Sequence, residues 1–137
     1  MVSIIFLISC DNLTVTKVTK ETTIVVQPYG DFYLSYADTV KIALSEMYGV
    51  KTEVFKAIAL PKNAFVNIKS PRYRADSLIY YLKIDELYTQ HNHVIGLTSK
   101  DISTTKYSDF KNKIIKEPKS KYTDWGIFGL GYMPGKS

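Results

Sequence analysis

The chain has 137 residues, 45% of them hydrophobic and 23% charged, which excludes a disordered polymer and allows one domain with its own buried core. A formal net charge of +5 admits an anionic partner, but the lysines and arginines are spread along the chain with one dense cluster, so no nucleic acid is expected. The single cysteine, Cys10, excludes an internal disulfide and any cysteine-based zinc cluster within the chain.

Ile4-Ile5-Phe6-Leu7-Ile8-Ser9 is an apolar run ending in a small residue, shorter than the roughly 20 residues that span a bilayer. Leu7-Ile8-Ser9-Cys10 resembles the lipobox of bacterial lipoproteins. The resemblance implies a leader cleaved before Cys10, a lipid anchor on Cys10 and a place on a membrane of the bacterial cell envelope, without a transmembrane helix. The same run also fits a buried strand that ends beside a free cysteine. On the first reading residues 1–9 are a signal remnant, 10–22 a Thr-, Lys- and Asn-rich polar tether, and 23–137 the folded domain.

Thr23 to Pro28 is a continuous β-branched run closed by Pro28-Tyr29-Gly30, the pattern of a strand buried on both faces. From Ser35 to Tyr48, Val40, Ala43, Leu44 and Met47 recur at helical spacing, with Ser35 as expected N-cap and Gly49 as stop. Val50, Val54, Ile58 and Leu60 share one parity, predicting a half-buried strand over 50–60 that ends at Pro61. Strand, helix, strand in this order predicts a crossover between parallel strands. A second helix is expected from Pro71 toward Gln90, with Ala75, Leu78, Ile79 and Leu82 as its apolar stripe and Asp76 near its positive end. Val94 to Thr98 reads as a third strand and Gly126 to Gly131 as a fourth. Between them, Lys100 to Thr123 reads as a polar loop, its six lysines from Lys106 to Lys121 facing only Asp109 and Glu117 and forming a solvated surface. The expected fold is α/β, a mixed twisted sheet of about four strands with two main helices.

Four segments in order carry a family resemblance: the TIVVQP strand with its helix, RYRADSLIYYL, VIGLTSKDIS, and DWGIFGLGYMPGKS. Through Arg72, Arg74, Ala75 and Asp76, then Gly96, Leu97, Thr98, Asp101 and Ile102, then Phe128 and Gly129, the chain resembles the N-terminal half of the archaemetzincin-like zinc metallopeptidases. The resemblance covers about residues 24–137 and implies a peptidase acting on peptide or protein substrates, which the lipobox resemblance would tether to a membrane. It implies zinc for the full-length protein, held on H-E-x-x-H-x-x-G-x-x-H in a segment expected beyond Ser137, after the turn Pro134-Gly135-Lys136-Ser137. In such enzymes an antiparallel edge strand pairs with the extended substrate, a role that falls on Phe128, Gly129, Leu130 and Gly131. Phe128 and Leu130 as core residues beside a glycine bulge fit the same segment.

The residues themselves supply no catalytic or metal set. His91 and His93 are two apart and would share a face of an extended segment, but no third ligand accompanies them. Asp101 fits a loop cap better than a catalyst. A phosphate-cradling G-x-x-x-x-G-K-S at the end would need glycine at residue 130, where Leu130 stands. The alternative to a peptidase is a noncatalytic envelope lipoprotein module that binds a peptide or protein partner through an exposed sheet edge.

Overall fold

The computed structural model describes residues 3–8, 21–30, 32–85 and 90–132. Cys10, the tether up to residue 20 and the terminal Pro134-Gly135-Lys136-Ser137 lie outside the described residues. The fold is α/β, centred on a five-stranded mixed sheet. Its strands are β1 (Ser3–Ile8), β2 (Thr23–Pro28), β3 (Lys51–Val54), β6 (His93–Thr98) and β11 (Gly129–Tyr132), in the order β11-β1-β6-β2-β3. β2, β3 and β6 run parallel, whereas β1 is antiparallel to β6 and parallel to β11. The sheet is one strand wider than expected, because the apolar run ahead of Cys10 occupies the position between β6 and β11.

β2 explains the core. Its alternate residues Ile24 and Val26 enter one buried cluster with Ile95 and Leu97 of β6, while Val25 enters another with Val94. Both faces are thus covered, as an uninterrupted β-branched strand requires. Helix α1 (Leu34–Tyr48) closes the first face through Ala37, Val40 and Leu44. Ala43 and Met47, expected in that stripe, are exposed, so the inward face is rotated toward Ala37. The helix starts after Tyr33 with no side-chain cap, not at Ser35, and Gly49 ends it at φ 63°, its N–H donating to the Ser45 carbonyl at 2.9 Å. Glycine is suited to that left-handed position because it has no Cβ to clash.

Helix α2 (Ala75–Ile84) covers the opposite face, and its predicted stripe Ala75, Leu78, Ile79 and Leu82 is buried throughout. Each large member contributes about 1.5–3 kcal/mol by leaving water. The helix does not begin at Pro71, however. Pro71–Arg74 is an extended strand, β5, and proline suits the first residue of a strand as well as the first of a helix. β5 belongs to a second, four-stranded sheet of order β10-β7-β5-β4, with β4 (Phe65–Asn67), β7 (Ile102–Thr104) and β10 (Trp125–Ile127). The strand expected over 50–60 ends at Val54, beyond which Phe55 N donates to the Val26 carbonyl and Ile58 forms an isolated bridge with Tyr29. The supposed polar loop from Lys100 to Thr123 is also ordered: it holds β7, the hairpin β8 (Tyr107–Asp109) and β9 (Ile114–Ile115), and a one-turn helix, Lys119–Tyr122.

Candidate functional site

The segment expected to bind substrate is not one strand. The chain leaves the four-stranded sheet at Ile127, passes Phe128, and enters the five-stranded sheet at Gly129. Phe128 lies in the break and is 69% exposed, whereas Gly129, Leu130 and Gly131 lie in β11. Leu130 is half-buried against the core under α2, and the exposed glycines on either side put no side chain beside it. The core reading holds for Leu130, which packs inward, and not for Phe128, which faces solvent.

β11 is the terminal strand of its sheet, pairing with β1 from Ile4↔Gly129 to Leu7↔Tyr132. It runs parallel to that neighbour and opposite to β2, β3 and β6. Among the described residues no strand pairs with its outer side, so a row of backbone donors and acceptors faces outward. The other end of the sheet differs. There β3 carries Lys51 and Glu53, whose side chains form an ion pair at 2.6 Å. Lys51 holds the Glu53 carboxyl below the usual carboxylate range, by its hydrogen bond and by its charge. Charged side chains on an edge discourage a further strand, and β11 between Gly129 and Leu130 offers none.

The approach to β11 is fixed by the two arginines of RYRAD, which lie two residues apart on β5. Arg72 Nη1 donates to the carboxylate Oδ2 and to the carbonyl of Asp124, both at 3.2 Å. Arg74 Nη1 donates to the Thr123 carbonyl at 3.1 Å, and its Nη2 donates to Thr105 Oγ1 at 2.7 Å. The Thr105 hydroxyl in turn donates to the same Thr123 carbonyl at 3.1 Å. A Cβ on Gly126 would stand 3.4 Å from the Arg72 guanidinium, so glycine there lets the fork lie close to the backbone of β10. The turn at 123–124 is thus held from β5, and it launches β10 and then β11. Spacing alone did not show this role, although two arginines at i and i+2 on an extended segment share a face.

The remaining candidates take structural positions. Asp101 is exposed and contributes its carbonyl, which accepts from Tyr73 N at 2.9 Å, while buried Thr98 shapes the turn by accepting from Lys100 N at 3.1 Å. His91 stacks edge-on against Phe55, with centroids 5.6 Å apart, and His93 opens β6, where burial holds its imidazole below the usual histidine range. Among the described residues no three His, Cys, Asp or Glu side chains come together as a group that could hold a metal ion. No helix among the described residues is long and apolar enough to cross a membrane. Comparison with known proteins returns no family model, curated protein or solved structure that matches the chain.

Proposed function

We propose that the protein binds an extended peptide or protein segment by strand addition at the outer edge of β11, with Phe128 as the exposed apolar contact at the start of the site. The observation that carries this reading is the contrast between the two sheet ends: Lys51 and Glu53 guard β3, while β11 has an open outer side among the described residues and no charged side chain from Gly129 to Gly131. A peptide laid there gains ladder hydrogen bonds from the backbone, and Phe128 offers a ring to one of its side chains. The resemblance to archaemetzincin-like enzymes gives this edge a specific meaning, the substrate wall of a zinc-dependent metallopeptidase whose metal motif is expected beyond residue 137. Hydrolysis is assigned to no residue described here. The lipobox resemblance offers a separate reading of the N-terminus, a lipid anchor at Cys10 and a place in the bacterial cell envelope, which is an alternative to keeping residues 3–8 as the partner strand of β11.

The test uses a short peptide of alternating valine and threonine and the same peptide with alternate backbone nitrogens methylated. Strand addition predicts that the unmodified peptide binds and that methylation abolishes binding, because it removes the ladder donors while leaving every side chain in place. Equal binding of the two peptides would overturn the reading.

A further inference from the structure

The six lysines between Lys106 and Lys121 are all exposed, and among the described residues none of them forms an ion pair. The two acids in the segment face elsewhere. Asp109 accepts from the backbone N–H and the side-chain amide of Asn112, at 3.0 and 2.7 Å, and these bonds hold its carboxyl below the usual carboxylate range. Glu117 Oε2 accepts from Lys119 N at 3.1 Å. Among the described residues neither acid forms an ion pair with a lysine of the segment, and the six lysines exceed the two carboxylates, so the segment keeps a net positive charge.

The lysines are arranged around apolar groups. Tyr122 and Trp125 stack with centroids 5.1 Å apart. The ammonium of Lys106 lies over both rings at 5.9 and 5.2 Å, that of Lys121 over both at 5.4 and 5.6 Å, and that of Lys116 over Tyr122 at 5.1 Å. Such contacts orient ammonium groups without neutralising them. At the far end of the same hairpin, Phe110 is 78% exposed and Ile114 is 52% exposed, on either side of Lys111 and Lys113. Phe110 touches Tyr107 edge-on at 5.6 Å and is otherwise turned to solvent.

We propose that the β8–β9 hairpin is a docking element for an anionic lipid surface, inserting Phe110 and Ile114 at the level of the headgroups while Lys106, Lys111, Lys113, Lys116, Lys119 and Lys121 meet lipid phosphates. The chemistry separates this occupant from a nucleic acid. Bases stack on open aromatic faces, whereas the faces of Tyr122 and Trp125 are occupied by ammonium groups. An exposed phenylalanine and isoleucine at a lysine-rich tip have no counterpart on a phosphate backbone, but they match the interface of a bilayer, which takes aromatic side chains and attracts nearby cations. The surface is distinct from the β11 edge. If Cys10 is acylated, the hairpin supplies a second attachment that orients the domain on the membrane.

The test is co-sedimentation of the full chain carrying Cys10→Ala, so that acylation cannot contribute, with vesicles of phosphatidylcholine alone or mixed with phosphatidylglycerol. The protein is expected to bind the mixed vesicles and not the neutral ones, with affinity falling about fivefold for each of Lys111→Ser and Lys113→Ser. Phe110→Ser is expected to weaken binding at unchanged charge, and circular dichroism verifies that its fold is intact. In a Trp125→Phe background, Phe110→Trp should be quenched by brominated lipid. Failure to bind mixed vesicles, binding indifferent to Phe110→Ser, or an unquenched Phe110→Trp would each overturn the proposal. Equally tight binding of a single-stranded oligonucleotide would do the same, marking the patch as a general polyanion site.

Discussion

Arg72 and Asp124, 52 positions apart, join β5 to the turn that precedes β10 through a charge pair whose carboxylate side is fully buried and whose guanidinium side is 22% exposed. Removing one partner strands the other in a poorly solvated place. Arg72→Ala is expected to destabilise the protein by about 3–5 kcal/mol, since it leaves the Asp124 carboxylate unpaired. Asp124→Asn keeps the shape and an acceptor, so its cost should be smaller. Denaturant midpoints of the two single variants and of the double variant check this, because an intact pair makes their effects non-additive.

Gly49 offers a cleaner case, since nothing lies within 4 Å of the Cβ it lacks and its φ of 63° is the whole constraint. Gly49→Ala should cost about 1 kcal/mol, and Gly49→Asn less, because asparagine tolerates the left-handed region. Thermal unfolding of both variants measures the difference.

Burial lowers the affinity of His93 for a proton in the folded state relative to its ordinary value of 6.5. As pH falls through 6.5 the unfolded chain takes up the proton first, so stability declines until the folded-state value is passed and then levels. Urea unfolding followed above and below pH 6.5 should show this loss, and His93→Gln should reduce it.

Much of this architecture could be read from residue patterns, where those patterns were long enough to have a period. The β2 run matched its strand end to end, and the α2 stripe was buried throughout, because each repeats one physical preference over several residues. The faces of α1 were less legible: apolar Ala43 and Met47 fit the period, yet Ala37, one turn before the predicted stripe, is the residue buried against the sheet. Strands of two or three residues such as β7 and β9 are too short to show alternation, so the segment from Lys100 to Thr123 read as a loop. At the candidate site, Gly129 to Gly131 were found in an edge strand, but the sheet change at Phe128 was hidden, because apolar Ile127-Phe128 running into Gly129-Leu130 looks like one continuing strand.

Ser3–Ile8 illustrates a different ambiguity. The apolarity that makes a leader also makes a sheet strand, and a chain cleaved before Cys10 cannot keep β1 between β6 and β11. Mass spectrometry of the N-terminus of the protein from its native membrane separates the two. A lipoprotein is expected to begin at acylated Cys10 and to lose detergent-phase partitioning on Cys10→Ala. In a chain that retains residues 3–8, their amides should be protected from exchange together with those of Gly129–Tyr132, through the shared ladder.

The central claim, that β11 is a receiving edge, is tested most directly by nuclear magnetic resonance of the full chain titrated with the alternating valine–threonine peptide. The account predicts that amide signals of Gly129, Leu130, Gly131 and Tyr132 shift and become protected from exchange, that Phe128→Ser weakens the effect, and that the signals of Lys51–Val54 at the opposite edge stay in place. Shifts confined to β3, or a β11 that is unperturbed at saturating peptide, would contradict it.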